Sequence, residues 1–333
     1  MPTLTSAHDL ITAIPFLIGF HPTESIVLIS IKNEAIGLAM RIDLPSQLSS
    51  EEIDLLAHHF LRDEAECALL VAYMPDERDD GDSLLISLGA GLIRNGVDIQ
   101  ESLVVRAGRY RSIICRDATC CSPQGRSLPD IESTEMAAEH VVAGIPMPYA
   151  NIAELKETLA ADPSSFDLDW SDEVNRFFIA EDSETLQELR RDGVETMDLL
   201  LDEFRMGRGI SERTLAARMI GRMSDVQVRD YGLGVHSEDT FDIYFTMWRE
   251  LLRLAPRGFV APIACIVAAM SYESGDGALA QKALDRAFAD DERYPLAGLL
   301  RRVFNAGWPP ESFAQMRREL HPKVIDAIFE ERL

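Results

Sequence analysis

The sequence is short of positive charge. It carries 32 lysines and arginines against 56 aspartates and glutamates over 333 residues, a formal net charge of −24. A broad nucleic-acid or anionic-membrane surface needs a basic footprint to exchange for counterions, so both classes of partner are excluded. The deficit is even: residues 1–150 hold 10 bases and 22 acids, residues 151–333 hold 22 and 34, and each part sums to −12. Acidity is thus a property of the whole surface and bears on solubility more than on fold. Long apolar runs are missing as well. The longest near the start, Leu10 to Phe20, is broken by Pro15 and Gly19 and has no base before it, unlike a secretory signal. No stretch approaches the ~18 apolar residues of a spanning helix, and a cytoplasmic protein is expected. Cysteine is scarce and odd in number (Cys67, Cys115, Cys120, Cys121, Cys265), which is not a disulfide framework. Neither G-x-G-x-x-G nor G-x-x-x-x-G-K-[ST] follows any strand-like segment, and no G-x-S-x-G occurs. No cofactor can be named from such a sequence.

What is present is an ordinary globular composition, 47% hydrophobic and 26% charged, at a length that suits about two domains. Residues 1–150 alternate between helix-like and strand-like segments. A short helix is expected over Ser6–Ile14. The β-rich Glu24–Ile31 and Gly37–Leu44 then read as a hairpin turning at Asn33 and Glu34. Ser49 or Ser50 caps a helix to about Leu61, with Ile53, Leu56 and Phe60 on one face. Cys67–Met74 is a buried strand, Asp76–Asp82 a solvated acidic loop, and Leu84–Asn95 a helix closed by Gly96. Ser102–Ala107 and Tyr110–Cys115 flank a tight turn at Gly108 as a second hairpin. Hairpins mixed with helices predict an α/β domain with a mixed sheet.

From Ala150 the β signal fades. Residues 151–175 form an acidic connection, and 176–333 read as an all-α domain with runs near 183–191, 194–204, 212–223, 239–253, 262–273, 277–289, 296–305 and 310–318. Gly275-Asp276-Gly277 joins two of these. Ala280, Ala287 and Phe288 fall at the spacing of the second helix of a tetratricopeptide repeat, whereas Ala264, Ala268 and Ser271 depart from its first. Two readings stay open, a helical hairpin packed on its neighbours and a repeat surface that docks a protein partner.

Chemistry concentrates in Val105–Leu128. This segment carries Arg106, Arg109, Arg111, Arg116 and Arg126 against Asp117, a local +4 inside a chain of −24. On a strand, Arg109 and Arg111 share one face while Tyr110, Ser112 and Ile114 share the other. Paired guanidinium forks suit a carboxylate or phosphate; they suit equally the many acids of the same chain. Cys115, Cys120 and Cys121 lie in the same segment. Three thiols without a local fourth ligand make a poor zinc or iron–sulfur site, unless His21, His140 or an acid completes it. A thiol activated by the arginines and inert buried cysteines are the other readings.

Two weaker features remain. Arg41 and Asp43 share a face of the second strand, where partners from neighbouring elements or a role in anion binding would explain them. His21 enters the first strand, and His58 and His59 are adjacent on a helix, facing different directions.

The segments IPFLIGFHPTESIVLISI, RIDLP, GRYRSIICRDATCCSPQG and GDGALAQKALDRAF together resemble an uncharacterised family of actinobacterial cytoplasmic proteins, a domain of unknown function. The resemblance implies a two-part α/β and helical layout and supplies no activity. The functional expectation is a non-enzymatic interaction or ligand-sensing protein that takes a small anion, or an acidic partner segment, at Arg106, Arg109, Arg111, Arg116 and Arg41. An enzyme using Cys115, Cys120 or Cys121 as nucleophile or metal ligand, with the arginines orienting an anionic substrate, is the alternative.

Overall fold

Alternation along the first strand sends Ile26 and Leu28 to one apolar cluster and Val27 and Ile29 to another, all four fully buried. A strand buried on both faces must lie inside a sheet covered on both sides. The computed structural model, which describes residues 6–33, 35–117 and 121–329, has such a sheet. Internal contacts divide the chain into two units, Met1–Leu155 and Lys156–Leu333.

The first unit holds β1 (Ser25–Lys32), β2 (Ala35–Asp43), β3 (Cys67–Tyr73), β4 (Asp98–Arg106), β5 (Arg109–Ser112) and β6 (Arg126–Ser127) in the order β2-β1-β3-β4-β5-β6. β3 and β4 are parallel and every other neighbouring pair is antiparallel, so the sheet is mixed. Helices α1 (Ala7–Ile18), α2 (Ser50–Arg62), α3 (Gly81–Arg94) and α4 (Glu135–Ala143) complete the unit. Ile53, Leu56 and Phe60 of α2 join Leu84, Leu88 and Leu92 of α3 over one face of the sheet. Leu10, Ile11 and Ile14 of α1 cover the other. Ser49 closes α2 with a reciprocal cap: its hydroxyl accepts from the Glu52 amide, and the Glu52 carboxylate accepts from the Ser49 amide.

β5 is shorter than its sequence suggests. Ser112 Oγ accepts from the amides of Ile114 and Cys115, at 3.2 and 3.0 Å, and this local turn ends the ladder. Ile114 is therefore exposed instead of facing inward with Tyr110, and Ile113 packs on the α2–α3 cluster. β2 is an edge strand, so Asp43 lies in solvent and pairs with Arg41 itself (2.6 Å).

The second unit is helical: α6 (Leu168–Asn175), α7 (Leu186–Arg205), α8 (Arg213–Arg222), α9 (Val226–Gly234), α10 (Phe241–Leu254), α11 (Val260–Glu273), α12 (Gly277–Asp290), α13 (Pro295–Asn305) and α14 (Pro310–Phe329), with α5 (Ile152–Glu157) across the division. Within the acidic stretch, Trp170 is buried and its indole donates to the Leu254 carbonyl (2.7 Å). α7 is one helix where Asp192-Gly193 suggested a break. A side chain at Gly193 would meet Val228 at 2.8 Å, so this glycine admits α9 at close range. α11 is buried from Val260 to Ser271 and is packed by α9, α10, α12, α13 and α14. It thus forms with α12 a hairpin packed on its neighbours. Asp290 at the end of α12 caps α11 from outside, accepting from the amides of Gly258, Val260 and Ala261. Among the described residues no helix is long and apolar enough to cross a membrane.

Candidate functional site

The parallel pair sets the site. Between the carboxyl end of β3 and the start of α3 the chain runs through Met74–Asp80; β4 ends at Arg106, and a two-residue turn of Ala107 and Gly108, both at positive φ, starts β5. Ligands of open α/β sheets lie beyond the carboxyl ends of parallel strands, where helix N-termini also point their amides. Here the crevice is a cavity of about 220 Å³, lined by Arg78, Arg106, Arg109 and Arg111 together with Asp79 and Asp82.

Register explains the convergence. Arg106 pairs with Arg109 and Val104 with Arg111, while Tyr110, paired with Val105, is buried on the α1 side. Arg106, Arg109 and Arg111 therefore share the face that α3 covers. Each guanidinium is held differently. Arg111 pairs with Asp82 in the first turn of α3. Arg78 donates to the Pro45 carbonyl and holds Asp80 in a bidentate pair at 3.0 and 2.7 Å, and the hydrogen bonding from Arg78 keeps the Asp80 carboxyl below its ordinary range. Arg106 donates to the Asp76 carbonyl (2.6 Å). Arg109 donates to the carbonyls of Gln124 and Gly125, both at 2.7 Å. Among the described residues, neither Arg106 nor Arg109 has a carboxylate partner, and each keeps unspent donors of its five N–H groups.

Gly125 makes the Arg109 contact possible. It sits at φ +70, and a Cβ there would lie 2.6 Å from the Tyr110 carbonyl oxygen, so only glycine lets the returning segment press against β5. Ala107 holds positive φ without being glycine, a strained position of the kind found at ligand sites.

The family model described as Domain of unknown function (DUF4192) matches residues 8–311. The chain belongs to the DUF4192 family. That description assigns no activity, and no curated protein and no solved structure matches the chain. The DUF4192 match includes every residue lining the arginine cavity, from Met74 to Gly125.

Not all the residues singled out in the sequence meet there. Arg41 lies on β2 with its guanidinium 5.8 Å from the Phe20 ring centre, and Arg116 is exposed beyond the end of β5; neither lines the cavity. Cys115 is half-buried and outside the lining, and so is Cys121, whose amide donates to the Asp117 carbonyl (2.7 Å). Cys120 lies outside the described residues. Among the described residues no three His, Cys, Asp or Glu side chains gather as a metal site. His140 packs against Phe16 in a tilted ring contact with its Nδ1 near the Met136 carbonyl, and His21 lines a neighbouring cavity. Burial raises the Cys67 thiol and pushes Cys265 up to about 12, away from thiolate chemistry.

Arg78 was missed by the sequence. It is the lone base of Asp76–Asp82, a run whose acids suggested a solvated loop, although Asp82 belongs to α3 and pairs with Arg111. The available signal was its place between a buried strand and a helix.

Proposed function

We propose that the first unit of this DUF4192 chain binds a small anion at the carboxyl ends of β3 and β4. The observation that carries the reading is the placement of Arg78, Arg106, Arg109 and Arg111 around one cavity beside the start of α3, within a chain of net charge −24. Acids answer two of these cations, Arg78 and Arg111; Arg106 and Arg109 are left to an incoming oxyanion. A ligand-binding protein is the form this takes, a reading supported by a lining in which, among the described residues, arginines predominate and no cysteine or histidine stands. Titration calorimetry with inorganic phosphate tests it. Binding to the wild type and at least tenfold weakening in Arg106→Ala are expected, since one charge-assisted contact contributes ~1.5–3 kcal/mol. Heat of binding that is absent, or unchanged by Arg106→Ala, removes the proposal.

A further inference from the structure

The arginine cavity is too small for an organic molecule, yet it is not isolated. Met74, Arg106 and Ala107 also line a second cavity of about 580 Å³ on the α1 side of the same sheet end. Pockets for small organic ligands span roughly 300–1,000 Å³, and the second cavity falls in that range. Its walls are mainly apolar, with Ile11, Pro15, Pro22, Val105 and Leu128 among them.

Tyr73 is 9% exposed and lines this cavity, and among the described residues its hydroxyl makes no hydrogen bond. Its oxygen is not sealed from solvent, so a ligand in the cavity can meet it as a hydrogen-bond partner. Burial also raises the phenol far above its usual range, so it stays a neutral donor. Glu24, Asp130 and Glu132 at the same cavity offer acceptors for hydroxyl or amino groups.

We infer that the two cavities form one bipartite site for an organic phosphomonoester: the phosphate lies among the arginines, and a ring-bearing body with hydrogen-bonding groups lies against Tyr73. This rests on the anion reading above and adds the ligand class. Several guanidinium groups spread around a compact cavity, with α3 starting beside it, suit a three-oxygen dianion; a flat carboxylate is satisfied by a single fork. Arg106, common to both cavities, bridges head and body. A nucleoside monophosphate has the required parts: a terminal phosphate, hydroxyl donors for the acids and a ring for the apolar wall.

The test compares adenosine monophosphate, uridine monophosphate, inorganic phosphate and adenosine by calorimetry on the full chain. At least one monophosphate should bind about tenfold or more tighter than phosphate. Tyr73→Phe, which keeps the ring and the packing, should weaken the monophosphate about two- to tenfold and leave phosphate unchanged. Leu128→Trp, at a partly exposed lining position, should cancel the monophosphate's advantage while phosphate still binds. If phosphate binds and responds to Arg106→Ala but no monophosphate exceeds it, or Tyr73→Phe changes nothing, the bipartite site is wrong and the anion site stands. If neither phosphate nor any monophosphate binds, both fall.

Discussion

Arg106 and Arg109 stand directly opposite one another across the β4–β5 ladder, each donating to backbone carbonyls and neither to a carboxylate among the described residues. Like charges facing across a ladder oppose strand pairing, so the hairpin holds a repulsion that the proposed anion would relieve.

That relation sets a first prediction. In chloride, Arg106→Ala should change stability by no more than about 0.5 kcal/mol, because it removes a repulsion along with one carbonyl contact. In phosphate at matched ionic strength the wild type should gain up to about 2.7 kcal/mol at a hundredfold excess over its Kd, and the variant should not. Urea unfolding in the two salts measures both. An equal phosphate response from both proteins contradicts the assignment.

Gly125 gives a second. Placing a Cβ 2.6 Å from the Tyr110 carbonyl at φ +70 should cost about 1–3 kcal/mol in Gly125→Ala. Since the Gly125 carbonyl accepts from Arg109, phosphate affinity should fall with stability. Denaturant midpoints and a phosphate titration of the same variant check the coupling.

In the second unit, Arg317 is buried and donates twice to Glu273, at 3.0 and 2.9 Å, and to the carbonyls of Gly234 and His236. Arg317→Ala strands a buried carboxylate and two carbonyls and should cost about 3–5 kcal/mol. Replacing both partners, Glu273→Gln with Arg317→Met, should cost less than Arg317→Ala alone. Urea denaturation of the three proteins decides it; a double variant worse than the single would refute the account.

A pH effect follows from the neighbouring His236. Burial holds its imidazole below the ordinary value, Glu273 pulls it up through a 3.4 Å contact, and Arg317 and Arg318 push it down again. Burial likewise lowers His321, which packs on Tyr231. As pH falls below about 6.5, the unfolded chain takes up protons that these folded imidazoles refuse, so stability is full above that pH and declines below it. The Glu273 carboxyl, also held low by His236 and Arg317 against its burial, adds a loss at still lower pH. Urea midpoints should therefore drop from pH 7 to pH 5. His236→Gln should flatten, not abolish, the decline, since His59 and His321 are lowered too. An identical slope in the variant would rule His236 out.

Much of the framework was legible in the chain. The alternation of ESIVLISI, the Ser49–Glu52 cap and the glycine turn at 107–108 are local patterns whose meaning is carried by a few neighbouring residues. Features that misled were those whose partners are remote. Gly193 looks like a helix break because Val228, which needs its missing side chain, is distant in sequence. The tract α11 shows no polar face because five helices enclose it. α9 was not anticipated, and α14 runs to Phe329, past the Arg318 where its pattern fades.

The sequence by itself determined the mixed sheet, the helical second part, the pervasive acidity and the one segment where arginines outnumber acids, since each depends on composition or short-range periodicity. Only the tertiary structure decided which arginines line one cavity. Arg78 joined Arg106, Arg109 and Arg111 while Arg41 and Arg116 fell away, because the parallel pairing of β3 with β4 brings the Met74–Asp80 loop beside the second hairpin. Tyr73 belongs to the same lesson. Its place beside a cavity is invisible in a buried strand of seven residues, and appears only when packing leaves an opening next to it.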